Sequence, residues 1–135
     1  MISLRVLLVP LLSMSTPVAA EQLTSYYTTI SVQDRRNSSG MRLNDFGAIL
    51  QQDRANYHRF GRRDAGDESD PFFANRETRA MIPQLFSVRH AGDRYWAGIA
   101  SGDFDMDVLV QICGSGGRIT HLRVDPADGD GYGDC

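Results

Sequence analysis

The segment RYWAGIASGDFDMDVLVQICGSGGRITHLRV, Arg94 to Val124, decides the fold that the sequence predicts. Its β-branched and aromatic side chains are separated by glycine-rich runs, which is typical of antiparallel strands joined by tight turns. From residue 104 onward, every second side chain is apolar, which predicts a strand with one buried face. The members of that face are Phe104, Met106, Val108, Val110 and Ile112.

The last two strands are expected to form a hairpin whose register follows from burial. A five-residue loop, Gly114–Arg118, sets Leu122 opposite Val110 and Val124 opposite Val108, so the aliphatic side chains share one face. The alternation also predicts that a cysteine and three aspartates lie together on the opposite, solvent-facing side: Asp103, Asp105, Asp107 and Cys113.

The chain before this segment predicts further strands and helices. Composition and turn signals predict a strand at Ser25–Val32, followed by a long helix at Asn44–Phe60. A short helix with Asp70 as its cap is predicted from Pro71 to Ile82. Two further strands are predicted after it, at Gln84–His90 and Arg94–Ser101. The predicted fold is therefore α+β. An antiparallel meander of about five strands packs on one long helix, in a layout similar to cystatin-like and NTF2-like rolls.

The long helix carries an apolar stripe with one acid in it. Asn44 is a candidate cap, and Gly61 stands where a left-handed residue ends a helix. Asp53 falls inside the stripe, so it is expected to be buried against an arginine or a tyrosine hydroxyl. A role in a cleft is the alternative.

Residues 1–20 are typical of a cleaved secretory signal peptide. Arg5 precedes a short leucine-rich run, and Val18, Ala19 and Ala20 form a small-residue cleavage site. The run is shorter than the ~20 apolar residues that span a bilayer, so no membrane span is expected after cleavage. The sequence thus predicts a secreted or periplasmic protein, with one domain at 21–124 and an acidic Gly/Asp tail at 125–135.

Two cysteines in an exported chain predict one disulfide, Cys113–Cys135. It would tether the tail to the sheet. The tail sequence from Asp128 to Asp134 resembles the calcium loop of thrombospondin type-3 repeats. The resemblance implies carboxylate ligands from Asp128, Asp130 and Asp134 and a carbonyl near Tyr132. Calcium is therefore a possible cofactor, and a flexible tail held only by its disulfide is the alternative reading.

The charge of the chain limits its partners. The formal net charge is −3, which disfavours non-specific binding to nucleic acid. All fourteen basic side chains are arginine. Codon bias of the genome explains this, whereas an anion site built from arginine is the functional alternative and needs a geometry that sequence cannot supply.

No complete catalytic motif occurs in the chain, so no catalytic residue is predicted. The best-supported function is a small exported binding or accessory protein for an unknown macromolecule, of unspecified oligomeric state. Its support is a set of aromatic side chains of the kind that interfaces use, most of which are expected in the core: Tyr26, Tyr27, Tyr95, Trp96 and Tyr132. The first alternative is a calcium-stabilised module. The second is a small ribonuclease-like hydrolase with acid–base chemistry from His58, His90 and His121 together with Glu and Arg.

Overall fold

A computed structural model describes residues 10–129 and 133–135 as an α+β domain. Its sheet has three antiparallel strands in the order β1-β2-β3: β1 (Glu21–Ile30), β2 (Met106–Ser115) and β3 (Arg118–Pro126). A 3-10 helix and four α-helices complete it: Val32–Arg35, α1 (Phe46–His58), α2 (Arg76–Ala80), α3 (Ile82–His90) and α4 (Arg94–Ser101). None of the helices described has the length and apolar character needed to cross a membrane.

The prediction of about five strands on one long helix is wrong, because Gln84–His90 and Arg94–Ser101 are helical. Short apolar runs fit both a buried strand and a buried helix. Two local signals favour the helices. Gly92 has φ +74 and ends α3, and the Asp93 carboxylate accepts from the Tyr95 N–H at the start of α4.

The second predicted helix is shorter than expected, and a new helix begins before Pro83. The Asp70 carboxylate caps a turn at Phe72 and Phe73 rather than a helix at Pro71. Pro83 lies in the first turn of α3, where its missing N–H leaves no helical hydrogen bond unmade. The proline therefore starts a helix instead of ending one.

The predicted hairpin register is wrong by two residues, although the faces predicted for residues 108–124 are right. Phe104, predicted on the buried face, is 49% exposed and, like Asp103 and Asp105, precedes β2. Val124 lies opposite Val110, and Leu122 lies opposite Ile112. The turn contains only Gly116 and Gly117, both with positive φ, and a bulge follows Cys113. A shift of two residues keeps every side chain on its own face, so burial alone does not distinguish the two registers.

One face of the sheet carries the core. Tyr26, Thr28 and Ile30 of β1 are buried there, as the alternation predicts, whereas Val32 is exposed in the 3-10 helix. The other buried members come from β2, β3, the apolar faces of the helices and the turn before α2: Val108, Val110, Ile112, Leu122, Val124, Phe46, Ile49, Leu50, Phe73, Ile82, Leu85, Phe86, Trp96 and Ala100. The sheet and the helices thus form two layers around one core.

The opposite face of the sheet is covered by the C-terminus. The predicted disulfide is confirmed, with the Cα atoms of Cys113 and Cys135 5.6 Å apart. Cys113 is on the predicted face, but it is buried rather than solvent-facing. The reason is the tail. The Gly133 carbonyl accepts from Gln111, and the Cys135 carbonyl accepts from the ring of His121.

Two arginines donate hydrogen bonds to backbone carbonyls at the C-terminal end of α4. Arg35 is fully buried and donates to the carbonyls of Ile99 and Phe104. Arg42 donates to the carbonyls of Ala100 and Gly102, and its guanidinium pairs with Asp103. Cationic groups at a helix C-terminus satisfy its free carbonyls and oppose its dipole, so these arginines have a structural role.

We predict that Gly47→Ala destabilises the protein by about 1–3 kcal/mol, because α1 and α3 touch at this glycine. A Cβ at Gly47 would lie 2.9 Å from the Pro83 Cα and 3.3 Å from its carbonyl oxygen. Both atoms are backbone, so the helices must separate to make room. The free energy of unfolding in urea measures the effect.

Gly98→Ala is the matched control. Gly98 lies within α4 with nothing within 4 Å of its would-be Cβ. Alanine should therefore stabilise the helix by about 0.5–1 kcal/mol. Equal effects of the two substitutions would contradict a tight contact at Gly47.

Candidate anion-binding groove

A buried ionic network fixes α1 on the sheet and so decides which face of the helix is exposed. Arg54 is fully buried, and its Nε donates to Asp53 Oδ2 at 2.8 Å. Its Nη2 donates to Thr28 Oγ1 at 2.9 Å and its Nη1 to Asp70 Oδ2 at 3.2 Å. The hydroxyl of Thr28 donates to Asp53 Oδ1 at 2.8 Å. The prediction that Asp53 is buried against an arginine is confirmed.

Burial changes the proton affinity of several acids around α1. It raises the pKa of Asp53 to about 7, against the opposing effect of Arg54. It also raises the pKa of Asp34 to about 6, although hydrogen bonds from the Ser31 N–H and Asn56 lower it. Burial acts in the same direction on Asp70, but hydrogen bonds from His58 and the Phe73 N–H outweigh it, so the pKa of Asp70 is lowered.

The exposed side of α1 forms a groove lined by arginine. Two shallow depressions of about 380 and 360 Å³ share Asn37 and Gln52 and together follow the helix to its C-terminal end. We call them the arginine groove, after the five arginines that line it: Arg36, Arg59, Arg62, Arg76 and Arg79. No carboxylate is among the lining residues of either depression.

The arginines of the groove have no acidic partner among the described residues. Elsewhere Arg42, Arg54 and Arg123 each form an ion pair with an aspartate, whereas none of the five groove arginines does. Burial lowers the pKa of Arg79, and the charges of Arg59 and Arg76 lower it further. Asp70 and Glu77 act on that pKa in the opposite direction. Arg79 is itself buried and donates to the carbonyls of Phe73 and Ala74, so the exposed arginines of the groove are the ones open to an anion.

Other side chains of the groove are amides and small residues. Ala48, Gln51, Gln52, Ala55 and Arg59 recur at helical spacing on one face of α1. Phe60 is 41% exposed, and the guanidinium carbons of Arg59 and Arg62 lie 5.0 and 5.9 Å from its ring centre. The predicted apolar stripe therefore ends before Phe60, which faces the groove instead of the core.

The predicted calcium ligands are only partly described. Asp130 and Tyr132 lie outside the described residues. Asp128 lines a separate depression together with Asp105 and Asp107. Asp134 is held by its backbone, whose carbonyl accepts a hydrogen bond from Arg123. Within the described ranges, no group of three His, Cys, Asp or Glu side chains is placed to hold a metal ion. Calcium binding by the tail stays a prediction.

The three histidines lie in separate places. His58 bonds to the Asp70 carboxylate at 2.8 Å, at the end of α1. His90 accepts from the Val124 N–H at the edge of β3. His121 bonds to the Cys135 carbonyl on the outer face of the sheet. Each ring is thus engaged in a different structural contact.

The sequence does not predict the arginine groove. The cluster of Arg59 and Arg62 after α1 is visible in the sequence, but it indicates only compensation of the helix dipole. Arg76 and Arg79 belong to α2, whose position beside α1 depends on the turn around Asp70. No local pattern predicts that the two helices bring their arginines together.

We predict that Arg54→Met destabilises the protein by about 3–5 kcal/mol, because it leaves Asp53 buried without its guanidinium partner and Asp70 with His58 alone. Arg59→Met is the control at the exposed end of the same helix and should change stability by less than about 0.5 kcal/mol. Urea unfolding of both variants gives the comparison. A tolerated Arg54→Met would show that the carboxylates do not depend on this guanidinium.

Stability should also fall as the pH rises from about 4 to 7. The raised pKa values of Asp53 and Asp34 mean that the folded protein holds protons that the unfolded chain, with carboxyl pKa values near 4, releases in this window. Asp70, with its lowered pKa, acts in the opposite direction at more acid pH, and His90, whose pKa burial lowers, opposes the decline below about pH 6.5. The difference between the native protein and Asp53→Asn is therefore the decisive comparison. Urea unfolding across this range should show the decline, and Asp53→Asn should make it shallower. An unchanged slope in that variant would mean that Asp53 is ionised throughout.

Comparison with known proteins adds no homologue. The chain matches no protein-family model, no curated protein and no solved structure. No relative therefore supplies a ligand or a reaction for this chain, and the arginine groove stands on its geometry alone.

Proposed function

We propose that this protein is an exported binding protein whose arginine groove holds an acidic segment of another polypeptide. The observation that carries the proposal is the separation of charge. Four exposed arginines and the buried Arg79 line one groove without a carboxylate, in a chain whose formal net charge is −3. A positively charged groove on a protein with a net negative charge attracts an anionic partner and orients it.

The chemistry of the groove suits carboxylates on a peptide. A guanidinium offers two parallel N–H donors that match the two oxygens of a carboxylate. The side-chain amides of Gln51 and Gln52 both donate and accept, as peptide groups require. Ala48 and Ala55 beside them leave room for a peptide backbone to approach the helix.

Export is the part of the proposal that the N-terminal sequence and the disulfide support. A basic, then apolar, then small-residue start is typical of a signal peptide. The Cys113–Cys135 bridge is the kind of bond that persists in an oxidising compartment. Together they suggest that the partner is a periplasmic or extracellular protein.

Fluorescence anisotropy with a labelled decaglutamate peptide tests the groove. We expect saturable binding at low salt that weakens as salt is added, because exposed ion pairs are screened within about 10 Å at 0.1 M. The double variant Arg59→Gln, Arg62→Gln should reduce affinity about 5-fold, at about 0.5 kcal/mol for each exposed pair lost.

A matched pair of substitutions controls for net charge. Arg94 and Arg118 are also exposed and form no ion pair among the described residues, but they lie outside the arginine groove. Arg94→Gln, Arg118→Gln removes the same charge and should leave binding nearly unchanged. Equal loss in both double variants, or no binding at low salt, rejects the proposal. Tighter, groove-dependent binding of polygalacturonate would replace the acidic polypeptide with an acidic polysaccharide.

A further inference from the structure

A second site lies beyond the N-terminal end of α1. A cavity of about 210 Å³ opens where the start of α1, the end of α3 and the start of α4 converge. Sites for drug-sized ligands measure about 300–1,000 Å³, so this cavity suits a smaller molecule. It is separate from the arginine groove and shares none of its lining residues.

Aromatic rings line the cavity. The ring centres of Phe46 and Trp96 are 4.4 Å apart, and those of Phe86 and His90 are 4.7 Å apart in a stacked pair. All four residues line the cavity. Phe46, Phe86 and Trp96 are nearly buried, at 2, 5 and 4% exposure, so they offer the cavity a small apolar wall. Such a wall favours a ligand with an apolar ring.

Two carboxylates stand beside these rings. Asp45 uses Oδ2 to accept from the Ala48 N–H, and Asp93 uses Oδ1 to accept from the Tyr95 N–H. Neither is part of an ion pair among the described residues, and each carboxylate has a second oxygen. Both therefore keep a lone-pair acceptor for a ligand.

The remaining polar groups leave the cavity with excess negative charge. His90 accepts from the Val124 N–H through Nε2 at 3.1 Å, so the ring is neutral with its proton on Nδ1. Arg94 is the only cationic residue that lines the cavity against the two aspartates. An ammonium group complements this balance better than a carboxylate does.

We infer that this cavity binds a small primary amine with an aromatic ring. The ring packs on Phe46 and Trp96, and the ammonium group donates to Asp45 and Asp93. This inference is independent of the proposed function, because it concerns a ligand of opposite charge at a different place. Binding is weak, since the carboxylates are exposed and each adds only about 0.2–1 kcal/mol.

Fluorescence of Trp96 tests the inference directly, because it is the only tryptophan of the chain and it lines the cavity. The full-length protein is titrated with phenethylamine, with 2-phenylethanol and phenylacetate as comparators that share the ring. We expect a saturable change with the amine, weaker binding of the neutral alcohol and the weakest binding of the acid. Equal binding of the amine and the acid, or no saturable change with the amine, overturns the inference.

The double variant Asp45→Asn, Asp93→Asn separates charge from structure. Asparagine is as good a helix cap as aspartate, so both helices keep their starts and the fold is retained. Amine affinity should fall about 5-fold, at about 0.5 kcal/mol for each carboxylate, while binding of 2-phenylethanol stays unchanged. Unchanged amine affinity in this variant overturns the role of the carboxylates, and retained alcohol binding shows that the cavity is still formed.

Discussion

The buried guanidinium of Arg54 is the constraint on which the arrangement of this protein depends. A charge without water must be neutralised and hydrogen-bonded, and its partners come from three parts of the chain. Asp53 is on α1 itself, Thr28 is on β1, and Asp70 and the Glu68 carbonyl belong to the loop that follows α1. Separating any of these parts leaves a charge buried without its partner, so helix, strand and loop are held as one unit.

This unit explains why the arginine groove faces outward. With Asp53 and Arg54 turned toward β1, the opposite face of α1 lines the groove, and the half-buried Gln51, Gln52 and Ala55 lie on it. The loop anchored by Asp70 then carries the chain to α2, beside the end of α1. Because Asp53 and Asp70 pair with Arg54 inside the protein, they are not available to the exposed arginines of the groove.

The two faces of the sheet are covered by different parts of the chain. Helices pack on the core face, whereas the C-terminal segment covers the outer face. It is covered by three described residues at the C-terminus, which are held by the disulfide and by backbone carbonyls that accept from Gln111, His121 and Arg123. This cover buries Cys113. A three-stranded sheet too small for a second helical layer is therefore protected on its outer side by a short covalently tethered segment.

The sequence by itself determined the local features of this protein. It predicted β1 and β2 with their buried faces, the body of α1 with a buried Asp53, and the disulfide, because alternation, helical periodicity and cysteine number can be read from the sequence. The predicted cap Asn44 is wrong by one residue, because Asp45 caps α1. Tertiary structure decided the rest. The local signals at Gly92 and Asp93 favour helices at 82–90 and 94–101, but the packing of their apolar side chains on Phe46 decides between helix and strand. The observed hairpin register differs by two residues from the predicted one because both registers bury the same face. The arginine groove exists only because packing places α2 beside α1, at a distance that no local pattern encodes.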